Sequence, residues 1–402
     1  MNSNTLSALC SSFLLSIALL ASGQVLAQSA FYTPTAAELR GAPGTLIRTE
    51  PMSGAPLGAA AYRILYRSTG VNGELIAVSG VAVVPVGTAP AEGRPVVAWA
   101  HPTTGVVPRC APSLAEFAFQ QMQGLRQFVE QGYVVVATDY PGLGTPAPHP
   151  YLVGNSEGRA VLDAVRATRA LTDAKAGNHF TVWGHSQGGH AALYAGLLVR
   201  VYAPELQLLG VATAAPATDL GKLLRDDFAT AGGRNVTAMT LWSWTRVFGV
   251  PMAPVALPAT VPLIDQLADQ CLESIYDFVM RWREAEPLEQ SFLTVKDITA
   301  VEPWRSLVLQ NVPGPLAASI PVFIAQGSAD TLVMPQVTLD YAKRLCANSS
   351  AVRLLMLPGV GHGLAAYHAT DAAVSWLIDR FEGRPVPNDC GTTVLTGTPS
   401  IR

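Results

Sequence analysis

Residues 182–189 read Val-Trp-Gly-His-Ser-Gln-Gly-Gly, and no other stretch limits the fold of this chain as much. A serine with glycine two positions to either side is the pattern of a tight strand-to-helix turn that lifts one side chain onto a strained backbone. Gly184 and Gly188 leave room for the strand and the helix to approach closely. The flanks agree: residues 179–183 (HFTVW) form a β-type run, and residues 191–201 (AALYAGLLVRV) form an apolar helical one. A second match, Gly154-Asn155-Ser156-Glu157-Gly158, follows a proline-rich loop at 146–151 rather than a strand. Ser156 or Asn155 is therefore expected to cap a helix over 157–173.

A serine on such a turn needs a base and an orienting acid. On an α/β-hydrolase sheet these follow in the order serine, acid, histidine. Residues 320–325 (IPVFIA) read as a buried strand, and Asp330 lies just beyond it, where ligands bind in open parallel sheets. Residues 352–357 (VRLLML) are the next strand and lead into a glycine-flanked loop carrying His362. The expected roles are Ser186 as nucleophile, His362 as base and Asp330 as the group that fixes the imidazole tautomer. Taken alone, Asp330 has an ordinary reading as a turn residue. Asp340 and His368 are rivals placed within helices. His185 is expected to face away from the site, and His190 to be a packed helix residue.

Two backbone donors are expected for the oxyanion. One is the N–H of Gln187, after the nucleophile, and the other comes from the loop after the third strand. Residues 94–100 (RPVVAWA) read as that strand and His101-Pro102-Thr103-Thr104-Gly105 as that loop. The second N–H is assigned to Thr104, with Thr103 as the neighbouring alternative.

Several blocks together resemble the secretory lipases of the α/β-hydrolase superfamily, the group typified by fungal lipase A enzymes, with bacterial relatives. They are Cys110-Ala111-Pro112-Ser113, residues 133–142 (YVVVATDYPG), Glu157-Gly158-Arg159-Ala160-Val161-Leu162-Asp163, the serine turn itself and Tyr202-Ala203-Pro204-Glu205-Leu206. The resemblance extends over roughly residues 60–382. It implies ester hydrolysis on acylglycerols or related esters, with the triad on Ser186, Asp330 and His362. One departure is visible: the fungal type carries an aspartate at the position matched to Thr104. The resemblance also favours a Cys110–Cys271 disulfide, which leaves Cys346 with Cys390.

Composition is consistent with a globular enzyme: 402 residues, 49% hydrophobic and 14% charged. A formal net charge of −3 with no basic stripe gives no reason to expect nucleic-acid binding. Residues 13–21 (FLLSIALLA) are too short an apolar run to span a bilayer, and Val25-Leu26-Ala27 offers a cleavage site. The expectation is a cleaved leader over 1–27, a mature start at Gln28 and a secreted or periplasmic product, although no Lys or Arg precedes the apolar run. Five cysteines become four once Cys10 leaves with the leader, an even number suited to two disulfides in an exported protein.

Residues 28–58 read as irregular. Residues 60–69 and 74–85 read as antiparallel entry strands, and strands near 96, 133, 180, 209, 321 and 353 alternate with helices. The fold expected is an α/β-hydrolase sheet, mostly parallel, over 28–218 and 313–402. Between Thr218 and Ile320 roughly 70 residues are surplus to one strand-helix-strand unit. They are expected to form a mainly helical cap over 219–312, carrying Trp242, Trp244, Trp282 and Trp304. These tryptophans serve either the packing of the cap or an acyl pocket and lid that meets lipid. The expected activity is a lipase or carboxylesterase without cofactor or metal, acting on an acyl ester. Two alternatives stay open: a serine peptidase or acyltransferase on the same fold, using Glu284, Glu286 or Glu289, and a non-catalytic binding protein.

Overall fold

Successive side chains of a strand point to opposite faces of a sheet, which decides the layer each residue enters. The structure, a computed structural model, describes residues 30–392 apart from 147, 227–229, 274 and 290, together with residue 395. The leader expected at 1–27 and the start at Gln28 lie outside the described residues. The strands are β1 (Leu46–Met52), β2 (Ala59–Thr69), β3 (Leu75–Pro85), β4 (Arg94–Ala100), β5 (Val134–Thr138), β6 (Ala176–His185), β7 (Gln207–Ala214), β8 (Val322–Gly327) and β9 (Val352–Leu357). They join in one nine-stranded sheet of order β1-β2-β3-β5-β4-β6-β7-β8-β9. Pairing is antiparallel from β1 through β3 to β5 and parallel for every later neighbour.

This is the mostly parallel α/β sheet expected, with one correction. β1 lies inside the stretch read as irregular. Its sequence, LIRTEPM, carries two charges and a proline, and none of its residues is fully buried. It is an edge strand, where a proline and charges are tolerated and the apolar alternation is weak.

The helices are α1 (Leu125–Glu130), α2 (Gly154–Ala170), α3 (Gln187–Tyr202), α4 (Leu220–Asp226), α5 (Ala231–Phe248), α6 (Val261–Ala268), α7 (Ile275–Glu284), α8 (Trp304–Gln310), α9 (Pro335–Ala347) and α10 (Ala365–Phe381). Val96 and Ala98 of β4 enter the layer shared with Val161 of α2, Leu193 of α3 and Tyr341 of α9. Val97 and Trp99 enter the opposite layer with Phe128 of α1, Leu241 of α5 and Trp376 of α10. Burial on both faces explains why the central strands read as continuous apolar runs.

α2 begins earlier than expected, and neither Asn155 nor Ser156 caps it. Val153 is the cap residue, and Ser156 lies buried in the first turn. The first helical N–H, that of Gly154, donates to Asn311 Oδ1 at 3.0 Å, and the Glu157 carboxylate reaches back to the Leu152 N–H ahead of the helix at 2.9 Å. A carboxylate at a helix N-terminus also meets the positive end of the helix dipole.

Helices α4 to α8 fill the interval between β7 and β8. Trp244 and Trp304 are fully buried and stack at 6.2 Å, and Trp244 Nε1–H donates to the Tyr151 carbonyl at 2.8 Å. Trp242 is partly exposed beneath Arg246 at 4.2 Å, while the Trp282 side chain lies outside those described. The cysteines pair as Cys110–Cys271 and Cys346–Cys390. The first bond ties the loop after β4 to the interval between β7 and β8.

Candidate active site

β6 ends at His185, and α3 starts two residues later. Ser186 stands between them at φ 56°, ψ −117°. That backbone is strained for a residue with a Cβ. It is held because the Ser186 N–H donates to the Ala214 carbonyl at 2.9 Å and the Ser186 carbonyl accepts from the His190 N–H at 3.1 Å. The two glycines are required sterically. A Cβ at Gly184 would stand 2.1 Å from the Gly188 carbonyl oxygen, and one at Gly188 would stand 1.9 Å from that of Ala100. The second contact presses the serine turn against the end of β4, where the loop from His101 to Gly105 begins.

Two more strand ends deliver the partners. His362 Nε2 lies 2.8 Å from Ser186 Oγ, and His362 Nδ1 lies 2.9 Å from Asp330 Oδ2. Asp330 is buried. Its Oδ1 accepts from the N–H groups of Leu332 and Val333, both at 2.9 Å, and Gln326 Nε2 donates to Oδ2 at 3.2 Å. Burial alone would raise this carboxyl group, but the His362 ring and the two N–H donors outweigh it and hold it below the usual carboxylate range. With both Oδ1 lone pairs engaged, Oδ2 is left for the imidazole. His362 Nδ1–H therefore donates to Asp330, and Nε2 faces the serine as an acceptor.

The rivals stand elsewhere. Asp340 on α9 pairs with Lys222 at 3.0 Å, and His368 is exposed on α10 beside Tyr367. Glu284, Glu286 and Glu289 lie at the outer side of the helical interval. Glu289 faces Arg234, and Glu284 accepts from Gln266. His185 does not turn away from the site as expected. Its Nε2 lies 3.0 Å from the His362 carbonyl oxygen, and the two rings are 5.2 Å apart. The side chain alternation of β6 sends it under the loop that carries His362.

Gln187 and Thr104 are both buried. The Gln187 N–H belongs to the first turn of α3, where backbone donors have no intrahelical partner. The Thr104 carbonyl accepts from the Leu272 N–H at 2.7 Å, and its hydroxyl is buried without a hydrogen-bond partner. Thr103 instead turns its hydroxyl to Tyr151 at 2.9 Å.

His190 is packed within its helix as expected, but sequence reasoning missed that it and Gln187 join His149 and Glu157 in a ring of buried polar groups behind Ser186. One signal for it existed. Glu157 falls at helical spacing with Ala160, Val161 and Ala164 on the apolar face of α2, and a lone charge there needs a buried partner.

Three buried histidines around the turn are held neutral. Burial, then repulsion from His362, pushes His185 down to about 3, and burial pushes His101 down to about 4 and also lowers His149. An unfolded imidazole titrates near ~6.5. Below that pH the unfolded chain takes up protons that the fold refuses. Their contribution to stability is thus complete above about 6.5 and is lost progressively as pH falls. Burial raises Asp163 to about 6 and raises Asp139, which opposes part of the loss at acid pH. Replacing His185 with asparagine is expected to flatten the decline below pH ~6.5 by up to about 1.4 kcal/mol per pH unit, the slope of one proton. Chemical denaturation of both proteins at pH 7 and pH 5 measures this, and equal declines would refute a neutral His185.

A serine on a strained strand-to-helix turn, backed by an acid and a histidine from later strand ends of a mostly parallel sheet, defines an α/β-hydrolase. The sequence model of the secretory lipase family matches residues 116–389, and the chain belongs to that family. It is 29% identical to Lipase 5 of Candida albicans over 309 residues, 70% of this chain and 64% of that protein. It thus spans a little under two thirds of that relative. It is 24% identical to Lipase A of Moesziomyces aphidis over 380 residues, 84% of this chain and 75% of that one. The crystal structure of Candida antarctica lipase A superposes with a TM-score of 0.73 at 19% identity, covering 90% of this chain and 87% of that one, and so shares the fold.

Proposed function

We propose that the chain is a secreted serine ester hydrolase of the lipase and carboxylesterase type, working through Ser186, His362 and Asp330 and an acyl-enzyme. One observation carries this reading: the unbroken hydrogen-bond path from Ser186 Oγ through His362 to Asp330. Ser186 Oγ attacks the acyl carbon while its proton passes to His362 Nε2. The negative charge that develops on the carbonyl oxygen is met by the N–H groups of Gln187 and Thr104, each contributing about 3 kcal/mol. The bond to the alcohol oxygen then breaks, and the alcohol leaves with the proton from His362. Water attacks the acyl-serine, gives one proton to His362 and releases the acid as that proton returns to Ser186.

Residues 219–312 act as a cap beside this centre and supply an acyl pocket and contact with a lipid surface. The Cys110–Cys271 bond and the Leu272–Thr104 hydrogen bond support the location. The apolar, proline-rich sequence of 241–267 supports the role. No helix among the described residues is long and apolar enough to cross a membrane. Export through cleavage after Ala27, leaving Gln28 first, rests on the apolar run at 13–21; the N-terminal mass of the exported protein tests it.

Hydrolysis of p-nitrophenyl esters from acetate to palmitate, by the wild type and by Ser186→Ala, tests the activity. The wild type is expected to hydrolyse them and the variant to be inactive. The chain-length profile separates a lipase from a short-chain esterase. Turnover of amino-acid p-nitroanilides alone would move the assignment to a peptidase, and a folded protein inert towards both would move it to a binding protein.

A further inference from the structure

Behind Ser186 lies a second buried polar network that the proposed reaction does not use. Glu157 is fully buried in the first turn of α2. Besides accepting from the Leu152 N–H, its Oε1 accepts from Gln187 Nε2 at 2.8 Å, and its Oε2 lies 2.8 Å from His190 Nδ1. His190 is also fully buried, and its Nε2 lies 2.8 Å from the Asn311 carbonyl oxygen. A carbonyl only accepts, so His190 Nε2 carries hydrogen. The Glu157–His190 pair then holds one further proton between its facing atoms. It is neutral as a unit whichever partner carries that proton, so no net charge opposes an oxyanion forming nearby.

The other hydrogen of the Gln187 amide goes to His149. The distance from Gln187 Nε2 to His149 Nε2 is 2.9 Å, while His149 Nδ1 lies 2.8 Å from the Pro141 carbonyl oxygen. His149 therefore donates to Pro141 and presents a bare Nε2 to the amide. Gln187 spends both N–H bonds on these two acceptors, and its own oxygen is buried without a partner. The amide is thus held entirely through its nitrogen.

The same network continues into the interval between β7 and β8. Ser243 Oγ–H donates to the His149 carbonyl at 2.6 Å, and Asn311 Oδ1 accepts from the Gly154 N–H at 3.0 Å. Tyr151, whose N–H donates to Ser243 Oγ at 3.1 Å, reaches Thr103 through its hydroxyl. Gln187, through His149, and Thr103, the neighbour of Thr104, are therefore both linked through hydrogen bonds to Ser243 of α5.

We propose that Glu157 and His149 are positioning residues for the oxyanion hole: by clamping the Gln187 amide they set the pitch of the first turn of α3 and so aim the Gln187 N–H at the reacting oxygen. This rests on the ester-hydrolase reading above. A donor in an oxyanion hole acts only when it points to where the charge develops, and losing one costs about 10²–10³ in kcat. Loosening its aim forfeits part of that.

The test compares wild type with Gln187→Met, Glu157→Leu and Glu157→Gln on p-nitrophenyl butyrate, with the affinity of an alkylboronic acid as a second readout. The boronate bound to Ser186 places an oxygen where the oxyanion forms. Gln187→Met keeps the backbone N–H and the side-chain length but removes the clamp. It and Glu157→Leu are expected to lower kcat roughly 10- to 100-fold with KM within about twofold, and to weaken the boronic acid by a matching factor. Glu157→Gln is expected to restore most of the turnover. Its oxygen still accepts from Leu152 and Gln187, and its NH₂ donates to a neutral His190.

Turnover of Gln187→Met within twofold of wild type would overturn the proposal. So would a fall in kcat with unchanged boronic acid affinity, or a Glu157→Gln variant no better than Glu157→Leu. Should Glu157→Leu fail to fold, Gln187→Met, which leaves the Glu157–His190 pair intact, decides alone. A wild type inert towards esters would remove the hydrolase reading and this inference with it, whereas an active wild type with unaffected variants removes the inference only.

Discussion

Ser186→Ala and His362→Ala are each expected to lower kcat on p-nitrophenyl esters by at least about a thousandfold, and the double variant is expected to be no worse than either alone. The reason is mechanical. Ser186 Oγ is a weak nucleophile until His362 Nε2, 2.8 Å away, removes its proton during attack. Without the base the serine hydroxyl stays a poor nucleophile, and without the serine the base has nothing to activate. The residual rate in each variant then comes from substrate binding and the oxyanion donors, which neither change removes. Steady-state kinetics on the three proteins, with Tm as a check on folding, measures this. A double variant far slower than both singles would mean that the two groups act independently, and the triad assignment would fail.

How much of this could be read from the residues alone follows from which constraints are local. The serine turn could be, because its chemistry is written in five consecutive residues and its steric demand falls on Gly184 and Gly188. Asp330 and His362 could be named because each follows a strand whose apolar run is unmistakable, and their mutual distances then came from the structure. β1 could not be read, because an edge strand buries little and needs no alternation. The start of α2 was misplaced because serine and asparagine are strong caps by type. Here a glutamate three positions inside the helix reaches back to the Leu152 N–H instead. The ring of His149, Glu157, Gln187 and His190 was out of reach for a different reason. Its members sit up to 41 positions apart in sequence and meet only when α2 packs on α3. The tryptophans between β7 and β8 show the limit of composition. Their abundance fits either cap packing or an acyl pocket, and only the structure shows that Trp244 and Trp304 stack on each other and donate to the backbone at Tyr151 and Pro251.

Asp330→Asn is expected to cost about 10⁴-fold in kcat while leaving the fold and KM nearly unchanged, through the tautomer of His362. The orientation of the new amide follows from the donors already present. Oδ1 of Asp330 accepts from two fixed backbone N–H groups, those of Leu332 and Val333. An NH₂ cannot occupy that position without setting donors against donors, so the asparagine oxygen must take it. The NH₂ then falls where Oδ2 stood, 2.9 Å from His362 Nδ1, at the loss of the longer Gln326 Nε2 contact of 3.2 Å, whose donor keeps the Gly327 and Val333 carbonyls. The NH₂ can only donate, which strips the hydrogen from Nδ1 and moves it to Nε2. An imidazole protonated at Nε2 presents a donor to Ser186 and cannot take its proton. The loss should appear in single-turnover acylation as well as in kcat. Asp340→Asn, on a carboxylate that faces Lys222 far from the imidazole, should leave acylation within about twofold of wild type. A fall of less than tenfold in Asp330→Asn would mean that Asp330 does not set the tautomer, and the orienting role would have to pass to another group beside His362.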